Sequence, residues 1–387
     1  MGTLWNLQCR LLVAIQNNDI STAECLLERG VDADVRFHVG SQTRPAICLC
    51  VERGHVEMVQ LLLKWGCSIN QYDPTGQTPL HIAASHGRIC MVDLLLKNRA
   101  NVKAVTNYGH TALHLAAQQP SLEIVKMLVE AGSDLERMDH DGRTPLGCAC
   151  IQGNARIVEY LVAQGAKVNI KDTMGNSPLL HATNGPHTSL DLVSVLLAAG
   201  AEVNLANKQG ETPLLATIRG ASQKPKNLKV LENDVYVVEA LLHNDCDLTS
   251  QTPLGQSPLH LAVALREDAL AEKLLRAGCN PNTPDALGLS PLFHMAKDGK
   301  QNLVSMAIAV GGDLRNQKWM KDDSLLSEIW DPFLREFLMV QALRFPRLKD
   351  LCRVVVRQYL ERRADWAINS LPLPQSIKEF LKLNLFL

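Results

Sequence analysis

No stretch of this chain reaches the ~18 consecutive apolar residues that a membrane-crossing helix needs, so no such helix is expected. Net charge is missing as well: 39 Lys+Arg stand against 40 Asp+Glu. That balance gives no overall case for nucleic acid or an anionic membrane as partner. No secretory leader is legible, because the apolar run 11–15 is short and no small-residue cleavage site follows it. The start, Met1-Gly2-Thr3-Leu4-Trp5-Asn6, lacks the Ser or Thr that a myristoylation signal wants at position six. Phosphate-binding loops, nucleophile elbows and kinase signatures are absent, which removes the common routes to catalysis. The eleven cysteines, among them Cys25, Cys90 and Cys246, are scattered through apolar stretches. Free buried thiols in a reducing compartment, cytoplasmic or nuclear, are the expectation.

What the chain has is repetition. Gly76-Gln77-Thr78-Pro79-Leu80-His81 returns as Gly109-His110-Thr111-Ala112-Leu113-His114 and as Gly142-Arg143-Thr144-Pro145-Leu146. Gly175, Gly210, Gly255 and Gly288 open further copies, and the first four of these seven glycines are spaced by 33 residues. Each residue type has a physical reason. The Thr or Ser hydroxyl caps a helix by accepting a hydrogen bond from an otherwise unpaired N–H of the first turn. Proline at the first helical position costs no hydrogen bond, and the leucine points into the layer shared with the next repeat. A second helix follows each copy, as at 91–97 and 122–130, with apolar residues at helical spacing. Gly66, Gly132, Gly165, Gly200 and Gly278 stand where left-handed backbone closes that helix. Asn70, Asp134, Asn169 and Asn204 then turn the chain into a hairpin that ends at the next glycine.

Period and phrase closely resemble the ankyrin repeat. About nine units are expected over residues 1–320, the first two and the last irregular, sharing one core because no unit buries its own apolar face. Two units run long: Gly175 to Gly210, and Gly210 to Gly255 with its excess at 220–233. That insert reads as a surface loop or as a partner-specific contact. His81, His114 and His260 are structural histidines by this resemblance, bonding threonine and neighbouring backbone. Cys48-Leu49-Cys50 and Cys148-Ala149-Cys150 have no partner at zinc-finger spacing. No catalytic residue, metal or cofactor is assigned. A stack of this kind binds through its hairpin tips and the solvent side of its first helices. The candidate contacts are therefore Tyr72, Asp73, Ser85, His86, Tyr108, His110, Gln118, His140, Asp141, Met174, Lys208 and Gln209.

The tail differs in charge. From residue 341 onward nine basic residues face four acidic ones, so the tail is near +5 and the remainder near −6. Residues 321–345, around Trp330-Asp331-Pro332-Phe333, read as a cap or linker. Pro346 then breaks the chain, and Leu348, Leu351, Cys352, Val355, Val356 and Tyr359 fall on one helical face. Leu371-Pro372-Leu373-Pro374 follows. Residues 346–387 resemble the SOCS box, a C-terminal three-helix module. In that family a leucine, a cysteine and an aliphatic at four-residue spacing bind elongin, here Leu348, Cys352 and Val356, with Leu351 and Val355 beside them. A Leu-Pro-hydrophobic-Pro core binds cullin-5, here Ile368, Leu371, Pro372, Leu373, Pro374 and Ile377.

The chain as a whole looks like an ankyrin-repeat and SOCS-box protein, an all-α repeat solenoid of helix-turn-helix and β-hairpin units with this module at its end. The resemblance implies a non-catalytic substrate receptor for a ubiquitin ligase of elongin B, elongin C, cullin-5 and a RING-box protein. Its protein substrate would be ubiquitinated and sent to the proteasome. The alternative is a plain ankyrin scaffold that holds partners without marking them.

Overall fold

The computed structural model describes residues 2–39, 42–185, 187–223, 228–343 and Lys378. The chain divides into two compact units, Met1–Met174 and Gly175–Leu387. Five helix pairs build the first: α1 (Gly2–Asn17) with α2 (Ile20–Glu28), α3 (Ala46–Arg53) with α4 (Val56–Lys64), α5 (Pro79–Ser85) with α6 (Ile89–Lys97), α7 (Ala112–Ala117) with α8 (Leu122–Glu130), and α9 (Pro145–Gln152) with α10 (Ala155–Ala163). First helices pack on first helices (α1, α3, α5, α7, α9) and second helices on second. This two-row stacking makes each core a property of neighbours rather than of single repeats.

The repeated phrase explains each first helix. Thr111 and Thr144 accept a hydrogen bond from the backbone N–H three residues on, and Pro79 and Pro145 take the first helical position. Leu80, Leu113 and Leu146 are buried at the repeat interface, each stabilising the stack by roughly 1.5–3 kcal/mol. Only 36–45 forms a formal hairpin among the described residues: β1 (Arg36–Val39) pairs antiparallel with β2 (Gln42–Pro45), in register Arg36↔Pro45 to Val39↔Gln42. The other tips are tight turns without a strand ladder.

Four pairs form the second unit: α11 (Pro178–Thr183) with α12 (Leu190–Ala198), α13 (Pro213–Gln223) with α14 (Leu228–His243), α15 (Pro258–Ala264) with α16 (Asp268–Arg276), and α17 (Pro291–Lys297) with α18 (Gln301–Val310). The nine helix pairs among the described residues match the repeat reading. The 220–233 insert departs from the loop expectation. Its described part lengthens α13 to 11 residues and α14 to 16, against 9 in α12. The two long repeats also engage each other: Asn233 Nδ2 donates to Thr188 O (2.9 Å), and Asn233 Oδ1 accepts from Leu190 N–H (3.2 Å). Two separate breaks in the sequence period are therefore one structural feature.

A 3-10 turn (Lys318–Lys321) precedes α19 (Asp323–Ser327) and α20 (Pro332–Leu343). Trp319 is fully buried, 5.4 Å ring to ring from Phe293, and its Nε1 donates to Ser290 Oγ (3.3 Å) and Gln317 Oε1 (3.1 Å). The indole thus seals the last helix pair just ahead of the segment expected to cap it. Ten cysteines are free among the described residues; seven are buried, while Cys25 and Cys90 are exposed on second helices, against the expectation for both. Burial pushes the Cys48 and Cys148 thiols up to about 12, so both stay protonated and unreactive near neutrality.

Candidate functional site

The tips are built on one device that repeats three residues before each turn glycine. Asp73 Oδ1 accepts from Thr75 N–H and Gln77 N–H, both at 2.9 Å, and from Thr75 Oγ1 at 2.6 Å. Asp139, Asp172, Asn207 and Asp285 hold the equivalent amides, and Thr106 and Thr252 do it with a hydroxyl. A side chain that accepts locally fixes the loop without a strand partner. Successive tips in the first unit then join through backbone: Asn107 N–H donates to Thr75 O (3.0 Å), His140 N–H to Tyr108 O (3.0 Å) and Thr173 N–H to Asp141 O (2.8 Å). Such close approach requires glycine. A Cβ on Gly109 (φ +79°) would sit 2.9 Å from His140 N.

Behind the tips lie the histidines. His114 Nδ1 accepts from Thr111 N–H (3.1 Å) and lies 2.8 Å from the Thr111 hydroxyl, while Nε2 donates to Arg143 O (3.0 Å) in the next repeat. His81 bridges Thr78 to His110 O, and His260 bridges Ser257 to Leu289 O, in the same way. Because Nδ1 accepts from a backbone amide, the proton is assigned to Nε2. Burial pushes the His81 pKa down to about 4 and lowers those of His114 and His260. These are neutral rivets between repeats. His260, Asp285 and His294 do place three ligand-type atoms within 4.8 Å. Both nitrogens of His260 are already engaged, however, so the trio lacks a free ligand set.

Of the candidate contacts, Tyr72 and Tyr108 are well exposed, at 63% and 64%. The Arg36 guanidinium lies 5.9 Å over the Tyr72 ring and donates to Tyr72 O, which holds that tip in place. His86, His140, Asp141 and Met174 are also exposed in the first unit, as are Lys208 and Gln209 in the second. Ser85, Gln118 and His110 are half-buried. Ser85 donates to Ile82 O, and His110 Nε2 lies 3.3 Å from Asp139 Oδ2. Asp73 corrects the expectation: it is 4% exposed and its carboxylate faces its own loop. It shapes the tip and offers nothing to a partner.

Four apolar tip residues escaped the sequence reading, which favoured aromatic and polar groups. Val105 and Met138 are exposed and stand four residues before their turn glycines, in register with Tyr72. In the second unit Leu254 and Leu287 are exposed one residue before theirs, the position of Tyr108 and Met174. The repeat register was the available signal. The elongin-binding candidates Leu348, Leu351, Cys352, Val355 and Val356, and the cullin-binding candidates Ile368, Leu371, Pro372, Leu373, Pro374 and Ile377, lie outside the described residues.

Comparison with protein families agrees with this geometry. A family model of ankyrin repeats (three copies) matches residues 11–106, 48–139, 90–172 and 113–207, and the single ankyrin repeat matches 254–286. The SOCS box matches 345–382. A search of curated proteins returned no match.

Proposed function

The chain belongs to the ankyrin-repeat and SOCS-box family, and on that premise we propose that it is the substrate-recognition subunit of an elongin B/C–cullin-5–RING-box ubiquitin ligase. One observation carries the reading: a SOCS-box match at 345–382 that follows the repeats and contains both short motifs in order. Exposed tips on a stiff stack hold the target, and the box holds the ligase. The receptor transfers no ubiquitin itself; it raises the effective concentration of the target's lysines beside the loaded conjugating enzyme. Leu348 is the anchor for elongin C, with Cys352 and Val356 along the same face. The prolines at 372 and 374 restrain the chain ahead of its last segment, which lowers the entropy lost on docking cullin-5. No helix among the described residues is long and apolar enough to cross a membrane, and the reading places the protein in the cytoplasm or nucleus.

Pull-down of the full chain against purified elongin B/C and cullin-5 tests this. Leu348→Ala/Cys352→Ala removes elongin capture, the leucine alone contributing roughly 2–4 kcal/mol as a buried anchor. Leu371→Ala/Pro372→Ala keeps elongin and loses cullin-5. A wild-type chain that captures neither partner would overturn the ligase reading and leave a repeat scaffold in its place.

A further inference from the structure

Helix α20 is apolar on two sides. Leu334 and Leu338 are fully buried. Phe333, Val340 and Leu343 form a second stripe on the opposite side, at i, i+7 and i+10, with Met339 beside it. Phe333 is 79% exposed and Leu343 82%, and Trp330, just ahead of the helix, is 90% exposed. Glu336 is the only charge on that stripe. A clustered apolar surface of this kind marks a contact that is not yet made.

The chain itself supplies an occupant. Arg315 Nε donates to Ala342 O (3.1 Å), which ties down the end of α20 at the point where residues 344–387 begin. Charge points the same way. Residues 322–343 carry five acidic groups (Asp322, Asp323, Glu328, Asp331, Glu336) and one basic group, Arg335, for a net of −4. Residues 344–387 carry nine basic and four acidic groups, for a net of +5. The tail also holds apolar residues beyond those proposed for elongin and cullin, among them Val354, Leu360, Trp366, Leu383 and Phe386. We propose that residues 344–387 fold back over the outward face of α20, so that cap and tail form one body in the free chain. A tethered segment begins at high effective concentration, and opposite net charges draw it toward the cap that carries that face. The consequence is geometric: the box leaves the last repeats at a set angle rather than on a free linker.

Amide hydrogen exchange on the full-length chain tests this independently of any partner. In wild type, amides within 347–382 are slowed relative to an unfolded peptide. Phe333→Glu/Val340→Glu changes only exposed side chains and speeds their exchange by about tenfold or more, leaving 291–310 as in wild type. Leu287→Glu, an equally exposed apolar position away from α20, leaves the tail unchanged. If the double variant disturbs 291–310, Glu336→Arg carries the test with the same expected direction. A tail that exchanges like an unfolded peptide in wild type, or one indifferent to these variants, overturns the proposal. So does protection of 333–343 that appears only at high protein concentration, since a second copy would then be the occupant. Failure to capture elongin B/C with tail protection intact would count against the ligase reading and leave this inference standing.

Discussion

Replacing Asp73 by alanine should destabilise the first unit, whereas replacing its neighbour Tyr72 should leave stability nearly unchanged. Asp73 Oδ1 accepts from Thr75 N–H, Thr75 Oγ1 and Gln77 N–H. Hydrogen bonds to a charged acceptor contribute roughly 1.5–3 kcal/mol each, but Thr75 and Gln77 are half-exposed, so water takes over part of the loss. A net cost of about 2–3 kcal/mol follows for Asp73→Ala. Asp73→Asn should cost about 1 kcal/mol or less, because Asn207 holds the equivalent amides of its own tip with an amide oxygen. Tyr72→Ala removes a ring that is 63% exposed and one guanidinium contact, worth together within about 1 kcal/mol. Urea midpoints measure the three variants, and exchange of the amides at 73–78 shows whether the loss is local, as repeat stacks permit. Equal midpoints for Asp73→Ala and wild type would refute the assignment of Asp73 as a loop-shaping residue. So would an Asp73→Asn variant as unstable as the alanine.

Gly109→Ala should cost about 2–3 kcal/mol, since it adds a clash with His140 N to the left-handed strain, whereas Gly132→Ala, with open space around its Cβ, should cost about 1 kcal/mol; thermal melts compare them. Asn233→Ala loses both bonds to the 188–190 turn and should destabilise α14 by about 1–2 kcal/mol, read as faster exchange at 233–241 with the first unit unaffected. Stability should fall on acidification. A His81 pKa lowered by burial to about 4 means that the unfolded chain binds the proton more tightly. The histidine's contribution is complete above the unfolded value near 6.5 and is lost as pH falls from there through about 4. That difference corresponds to roughly 3 kcal/mol, and His114 and His260 shift in the same direction. Urea midpoints from pH 7 to pH 4 would show the fall, and His81→Asn should flatten it.

The repeat was legible in the sequence because its signals are local. A cap hydroxyl, a proline at the first helical position and a left-handed glycine act within a few residues of themselves. They recur at a period that two rows of stacked helices require, so helix pairs, caps and core leucines could be read from spacing alone. The structural role of the histidines came from the ankyrin resemblance, and the structure bonds one end of each locally to Thr78, Thr111 or Ser257 and the other to the following repeat. The tail motifs are likewise short spacings, and family comparison matches the box that holds them. Only the tertiary structure decided which way side chains turn where no local rule applies. Asp73 looked like a surface acid until its own loop was seen to close around it. The 220–233 insert looked like a loop until its ends extended two helices and Asn233 met the other long repeat. Val105 and Met138 drew no reading from the sequence, and it is the tip that turns them outward. The second face of α20 was invisible because a single helix cannot show how much of its apolar surface its neighbours will cover. Burial belongs to the neighbours, and they meet only in the fold.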